Sequence, residues 1–253
     1  MVKMIMHGCN GRMGHVIVDL AGQDDGIEVV AGVDAFGESN YDFPVFKSLS
    51  ECNVDADVIV DFSTASAVSG LLEYCAEKGI PVVLCSTGLS PEQLDQVKET
   101  SKKVAVLKSA NMSVGVNALM KVLKEVSPLF AAAGFDIEIV EKHHNQKLDA
   151  PSGTAIALAD SINESLESSY DYVYDRSGRR EKRPQKEIGI SAVRGGTIVG
   201  DHDVIFAGHD EVVTISHRAY SRAIFGKGAI EAAKFLAGKG PGMYDMADAL
   251  HLS

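Results

Sequence analysis

The stretch "VKMIMHGCNGRMGHVIVDLAG", Val2 to Gly22, decides the fold. A short apolar run, Val2–Met6, meets a turn holding Gly8, Gly11 and Gly14, and an amphipathic stretch follows at once. Strand, glycine turn and helix in that order open a βαβ unit. Glycines let the backbone approach a pyrophosphate, and the helix start offers free N–H groups and a positive dipole end. The spacing is GxxGxxG, because Asn10 stands where the GxGxxG fingerprint has glycine. A tight strand–helix turn without a ligand is the alternative reading. The next strand-like run, Glu28–Asp34, ends on an acid 34 − 14 = 20 residues beyond the last glycine. From there a carboxylate accepts hydrogen bonds from ribose hydroxyls and repels a 2′-phosphate. Ala35 and Phe36 follow, with no arginine to hold that phosphate. NADH is therefore expected over NADPH, with Arg12 in the turn leaving NADPH possible.

Outward from this unit, apolar runs alternate with helical stretches. "ADVIVDFS" (Ala56–Ser63), "IPVVLCST" (Ile80–Thr87) and "VAVLKSAN" (Val104–Asn111) read as strands, with helices between them. This spacing implies a parallel sheet. "SPEQ" is a helix start: Ser90 as N-cap, Pro91 at the first helical position and Gln93 completing a capping box. After Asn111 the pattern changes. A long helix leads into "FDIEIVEKHH", which alternates like a half-buried strand, and "TAIALADSINESL" reads as a helix. Three strand-like runs then span Glu187–Tyr220, which predicts an antiparallel or mixed sheet. The end returns to helix and stops at glycine. The expected fold class is α/β. A Rossmann-like dinucleotide-binding domain takes 1–113 and 222–253. An α+β substrate and oligomerisation domain takes 114–221.

Composition excludes several classes. The chain has 253 residues, 45% of them hydrophobic and 23% charged, so a sizeable core can be buried. Net charge is −11, which repels phosphate backbones and argues against a nucleic-acid partner. A local basic run, Arg176–Lys186, reads as a solvated loop or as a local attraction for a small anion. Cys9, Cys52, Cys75 and Cys85 show neither zinc nor disulfide spacing. Cys52 is the one expected to reach the surface. Such thiols fit a reducing cytosol, and a cytoplasmic location is expected. The N-terminus has no signal-peptide pattern, and no apolar run approaches a membrane span.

A second stretch, "EKHHNQKLDAPSGTA" (Glu141–Ala155), gathers proton carriers. On a strand, His143 and His144 point to opposite faces. Lys147 falls where the strand gives way to a loop. "DAPSGTA" reads as a turn into a helix with Ser152 as N-cap, so the helix-start N–H groups near Gly153 and Thr154 are expected to make an anion site. A lysine beside a helix N-terminus suits a carboxylate, and histidine exchanges protons near neutral pH. Adjacent histidines with Asp149 suggest metal, but no third ligand stands at zinc spacing, so none is expected. His202, His209 and His217 lie on apparent strands and read as structural or surface residues.

With these motifs the chain resembles the 4-hydroxy-tetrahydrodipicolinate reductase (dihydrodipicolinate reductase) family over essentially its full length. "GCNGRMG", "EKHHNQKLDAPSGTA", "ANMSVGVN" and "AVRGGTIVGDHDVIF" are similar to family blocks in the same order. The resemblance implies hydride transfer from a nicotinamide to a cyclic unsaturated imine dicarboxylate, giving tetrahydrodipicolinate on the diaminopimelate route to lysine. It implies His143 as proton donor or acceptor, and Lys147 as second proton donor and carboxylate contact. His144, Gly153 and Thr154 would hold the substrate. Gly8, Cys9, Asn10, Gly11, Arg12 and Met13 would cradle the pyrophosphate, with Asp34 on the ribose. Cys85, Ser86 and Thr87, with Ser109, Ala110, Asn111 and Met112, would line the nicotinamide side. The chain departs from the family in "CSTG" where "GTTG" is usual and "NMS" where "NFS" is usual. The resemblance also implies a homotetramer built through the second domain's sheet. Two rival readings are a nucleotide-sensing protein without chemistry and another two-domain dehydrogenase. A semialdehyde dehydrogenase would need a nucleophilic cysteine, and Cys85 has no activating histidine near it in sequence.

Overall fold

The computed structural model describes residues 1–36 and 40–252. Residues 37–39 and 253, which fall in spans expected for the nucleotide-binding domain, lie outside the described residues. The chain divides into two compact units, Met1–Val114 with Ala223–Ser253, and Gly115–Arg222.

The first unit opens with β1 (Val2–His7), α1 (Arg12–Ala21), β2 (Ile27–Val33), β3 (Val45–Phe46), β4 (Val58–Asp61), α2 (Ala65–Lys78), β5 (Val82–Leu84), α3 (Pro91–Ser101) and β6 (Ala105–Leu107). The capping box at α3 is formed, with the Ser90 hydroxyl accepting from the Gln93 N–H and the Gln93 side chain accepting from the Ser90 N–H. The second unit holds α4 (Val114–Ala132), β7 (Asp136–His143), α5 (Gly153–Ser165), β8 (Asp171–Val173), β9 (Glu187–Arg194), β10 (Gly200–Ala207) and β11 (Val212–Ala219). The chain then returns to the first unit through α6 (Ala223–Leu236), β12 (Gly242–Tyr244) and α7 (Met246–Ala249).

The first sheet has the order β12-β6-β5-β4-β1-β2-β3, and every pairing is parallel. Successive side chains of β1 go to opposite faces. Met4 and Met6 pack with Ile17 of α1 and Ala229, Ala233 and Leu236 of α6. Ile5 packs with Val68, Leu71 and Leu72 of α2 and Val97 of α3. Both faces are covered, which is why these strands are continuously apolar rather than alternating. Each such side chain contributes roughly 1.5–3 kcal/mol on burial. Close packing fixes α6 as well: a Cβ on Gly228 would stand 1.6 Å from the Met112 carbonyl oxygen. Any side chain there would push α6 off the segment that follows β6.

The second sheet has the order β11-β10-β7-β9-β8. β7 runs parallel to β9 and antiparallel to β10, so the sheet is mixed. Sequence neighbours β9 and β10 are therefore separated by β7. Ile137 and Ile139 of β7 join Ile188, Ile190, Val204 and Phe206 beneath Leu123 of α4 and Leu158 of α5. That apolar face makes β7 the central strand.

One expectation changes here. Cys52 is buried, at 4% exposure. The basic run is a largely exposed loop, as its solvated-loop reading expects, with Arg176 and Arg183 half-buried in it. Arg183 bonds Glu138 at 2.9 Å and Asp136 at 2.7 Å, and Arg176 and Arg179 pair with the buried Glu187. Among the described residues no helix is long and apolar enough to cross a membrane.

Candidate functional site

The strand order of the first sheet reverses between β1 and β4, and ligands of such sheets sit outside the carboxyl ends at that point. Gly8 follows β1 there in the left-handed region, at φ 84°, and a Cβ on it would meet the Phe62 carbonyl oxygen at 2.8 Å. A Cβ on Gly14 would lie 2.3 Å from the Gly8 oxygen. Only glycine fits either place, and the result is a bare backbone cradle at the start of α1. Gly11 is the N-cap of α1, where no side-chain hydrogen bond is made, and no acidic residue stands in the first turn. Cys9 is buried, Met13 half-buried and Arg12 exposed. A groove of about 1070 Å³ runs along this edge, lined by Gly8, Asn10, Asp34, Phe36, Phe62 and Ser63 among others. The cradle fits a dinucleotide pyrophosphate in shape and in dipole.

Asp34 does more than face this groove. One of its oxygens accepts from the Asn10 N–H at 2.9 Å, and the other from the Phe36 N–H at 3.0 Å. Asn10 Nδ2 donates to the Phe36 carbonyl at 2.7 Å. The asparagine in the glycine's place thus ties the turn to the end of β2. The Tyr41 hydroxyl donates to the Cys9 carbonyl at 2.8 Å and steadies the other side. Beneath the cradle, His7 Nδ1 lies 2.8 Å from the fully buried Asp61, which also accepts from Ser63 Oγ at 2.6 Å. Burial raises the Asp61 pKa, but the bonds from His7 and Ser63 outweigh it and hold the group below its ordinary range.

The other expected cofactor contacts follow β5 and β6 at the same edge. Cys85 is half-buried, Ser86 buried and Thr87 exposed. Ser109 is half-buried, Ala110 exposed, and Asn111 buried with its side chain accepting from the Ser113 N–H at 2.8 Å. The Met112 side chain joins the hydrophobic core, so a cofactor there would meet backbone.

In the second unit, one face of the central sheet changes character along its length. Ile137 and Ile139 are apolar, and two residues on come Glu141 and then His143, also buried. Glu141 is fully buried. Arg194 grips it with two bonds of 2.7 Å, His143 Nδ1 lies 2.6 Å away, and the Ser152 N–H donates at 2.9 Å. Burial raises the Glu141 pKa, yet these donors win and hold it below the usual carboxylate range. The carboxylate is thus ionised, and His143 must carry its proton on Nδ1 to donate. Nε2 is left to exchange protons. A Cβ on Gly200 would stand 3.0 Å from Nε2, so the glycine keeps that nitrogen clear. Burial lowers the His143 pKa, against the opposing pull of Glu141.

The rest of the predicted segment surrounds this pair. His144, the first residue past β7, is half-buried. Lys147 is half-buried and pairs with Asp149 at 2.9 Å. Ser152 caps α5, its hydroxyl accepting from the Ala155 N–H at 3.2 Å. Gly153 is exposed and Thr154 half-buried at that helix start.

Three neighbours escaped the sequence reading. Glu141, Arg194 and His202 all sit at buried parity in their strands, and a charged or polar residue continuing an apolar face was the available signal. His202, read as structural or surface, is a buried residue: it is 3% exposed, and its Nε2 lies 3.1 Å from Ser152 Oγ. Its ring meets His143 edge-on at 5.2 Å. Burial holds its pKa at about 4, so it stays neutral. His209 is exposed and His217 half-buried. Among the described residues no group of three His, Cys, Asp or Glu side chains is placed to hold a metal.

Comparison with known proteins shows the family. Residues 2–112 match the family model described as dihydrodipicolinate reductase, N-terminus, and residues 115–250 the model for its C-terminus. The chain is 54% identical over 248 residues to the 4-hydroxy-tetrahydrodipicolinate reductase of Caldanaerobacter subterraneus, covering 98% of each. It is 50% identical over 246 residues to that of Clostridium tetani, covering 97% of this chain and 96% of the relative. The structure of dipicolinate-bound dihydrodipicolinate reductase from Paenisporosarcina sp. TG-14 superposes with a TM-score of 0.79 at 26% identity, covering 98% of each chain.

Proposed function

The chain belongs to the dihydrodipicolinate reductase family, and from that membership we propose how its own residues carry out the family's reaction. The protein is an NAD(P)H-dependent oxidoreductase. It reduces the cyclic unsaturated imine dicarboxylate to tetrahydrodipicolinate, in the diaminopimelate route to lysine. The reading of a nucleotide sensor without chemistry is not favoured.

The observation that carries the assignment of roles is the Glu141–His143 pair at the head of α5. His143 exchanges the proton through Nε2. Lys147 is the second proton donor and binds a substrate carboxylate. His144 and the N–H groups at Gly153 and Thr154 hold the dicarboxylate, as helix N-termini hold anions. The nicotinamide, when bound, supplies the hydride. Gly8 to Met13 cradle its pyrophosphate, and Cys85–Thr87 and Ser109–Met112 face its reactive end. The ligand in the Paenisporosarcina structure is a ring dicarboxylate, and the same class suits this site.

A synthase-coupled assay tests the reading. Dihydrodipicolinate synthase generates the unstable substrate from pyruvate and aspartate semialdehyde, and NADH absorbance is followed. Synthase-dependent NADH loss is expected. Cofactor binding without turnover would defeat the assignment.

NADH is the preferred cofactor and NADPH the weaker one, on the strength of the Asp34 carboxylate at the groove. Asp34→Ala is expected to raise the KM for NADH about tenfold, since it removes a charged hydrogen-bond partner. The KM for NADPH should rise less, because repulsion of the 2′-phosphate leaves with the carboxylate. Both should suffer somewhat, as Asn10 and Phe36 lose their shared acceptor. Parallel titrations with the two cofactors check this, and an unchanged NADH/NADPH ratio would remove Asp34 from selection.

Assembly as a homotetramer through the second unit's sheet completes the proposal. The core cluster of that unit packs α4 and α5 on one face of the sheet. Val193 and Val212, at the opposite parity, are 45% and 62% exposed. Sedimentation equilibrium is expected to give the mass of four chains. A monomer mass at micromolar concentration would contradict it.

A further inference from the structure

We propose that Glu141 is a positioning residue that couples proton delivery to carboxylate binding. One buried anion sets the tautomer of His143 and seats the start of α5 at the same time. The inference rests on the reading of His143 as the proton-exchanging group and deepens it.

The argument is an account of acceptors. A carboxylate offers about four lone-pair sites. In Glu141 each oxygen receives two donors. Oε1 takes the Ser152 N–H at 2.9 Å and Arg194 Nη2 at 2.7 Å. Oε2 takes His143 Nδ1 at 2.6 Å and Arg194 Nη1 at 2.7 Å. All four sites are filled, so Glu141 has no acceptor left for substrate and is not a base. Its effect passes through its partners. Toward His143 it fixes Nδ1–H and leaves Nε2 free. Toward α5 it holds the backbone N–H of Ser152, one residue before the exposed helix start at Gly153. Arg194 extends the same hub by donating to the Asp149 carbonyl at 2.6 Å, and Asp149 is the partner of Lys147. The proton donor, the helix that receives a carboxylate and the lysine loop are thus tied to a single side chain.

A carboxylate serving only as counterion to Arg194 would need neither the His143 nor the Ser152 bond. Nor would it fix which ring nitrogen of His143 carries the proton. Several other groups act on that ring or lie near it. Arg194 of β9 and Lys147 of the loop disfavour its charged form. His202 of β10 touches it edge-on, and His217 of β11 lies beyond His202. Asp149 is held by Lys147. Glu141 is the one that favours the imidazolium by direct bond.

The test is Glu141→Gln, assayed beside wild type and His143→Ala. The glutamine keeps the shape but provides one acceptor oxygen in place of two. The expected kcat falls on the order of 10²-fold, as misplacement of a reacting group does. The Kd for dipicolinate should rise about tenfold, equal to one lost hydrogen bond. The Kd for NADH should not move. The alkaline limb of kcat/KM should shift to lower pH, because His143 loses its anion while Arg194 keeps its charge. In a Glu141→Gln/His143→Ala double variant the glutamine should cost no further kcat. Wild-type kcat and an unmoved pH limb in Glu141→Gln, with His143→Ala inactive, would leave His143 in place and overturn the role of Glu141. Wild-type kcat in His143→Ala would overturn the underlying reading instead. If the single variant unfolds because Arg194 is stranded, Glu141→Gln/Arg194→Met removes both charges together and carries the same expectations for kcat and for dipicolinate binding, though not the shift of the pH limb, which needs the Arg194 charge.

Discussion

Replacing His143 by alanine is expected to lower kcat by about 10²–10⁴-fold, the usual worth of a positioned general acid or base, and to leave the Kd for NADH unchanged. The separation follows from the fold. His143 closes β7 in the second unit, whereas the glycine cradle and Asp34 belong to the first. Glu141 keeps Arg194 and the Ser152 N–H in the variant, so the carboxylate stays ionised and the head of α5 stays seated. The pH profile carries a second signature. Burial holds the His143 pKa below its ordinary value in the free protein, so the ring is largely neutral at pH 7. A bound dicarboxylate brings negative charge beside it and favours the imidazolium. The alkaline limb of kcat, which reports the complex, should therefore lie at higher pH than that of kcat/KM, which reports the free enzyme. Coincident limbs, or a variant with wild-type kcat, would remove His143 from proton transfer.

Lys147→Ala is expected to harm both parameters, with kcat and the KM for the dicarboxylate each worse by roughly 10–100-fold. A hydrogen bond to a charged group is worth about 1.5–3 kcal/mol, and this one is counted in ground-state binding and again in proton donation. Lys147 pairs with the exposed Asp149, a partner that a substrate carboxylate can replace at little cost. Such a surface pair is worth little by itself, so the variant should fold normally. Steady-state kinetics with NADH saturating would show the loss. Activity near wild type would sink the role, and loss in KM alone would restrict Lys147 to binding.

Much of the first unit was legible because its physics is local. Continuous apolar runs, the Gly8–Gly14 turn and the Ser90 capping box each carry their cause in adjacent residues. The short strands Val45–Phe46 and Gly242–Tyr244 had no such signal, since they exist only as partners of β2 and β6. The same limit applied to the order of the second sheet. Four of its strands were visible and the three-residue β8 was not, and the placing of β7 between β9 and β10 depends on which face of β7 α4 and α5 cover.

The site divides in the same way. His143, Lys147 and the Ser152 cap were readable as a motif, because their residue types and spacing announce proton transfer beside a helix N-terminus. Glu141 stood in the same quoted stretch and was passed over, although the parity of Ile137, Ile139, Glu141 and His143 puts it on the buried face. Arg194 and His202 arrive from strands 50 or more residues away, at |i−j| of 53 from Glu141 and 50 from Ser152. Asn10 stands where the glycine fingerprint has glycine. In the fold it is the residue that ties the turn to Phe36.

The most direct measurement of the central claim is isotope transfer. NADH deuterated at nicotinamide C4, on the transferred face, would be supplied with the synthase, its substrates and this protein, and the ring product weighed by mass spectrometry. Tetrahydrodipicolinate one mass unit heavier, formed by wild type and formed far more slowly by His143→Ala, is the predicted result. NADH consumption with no deuterium in the ring, or labelled ring formed at equal rates by both proteins, would contradict the account.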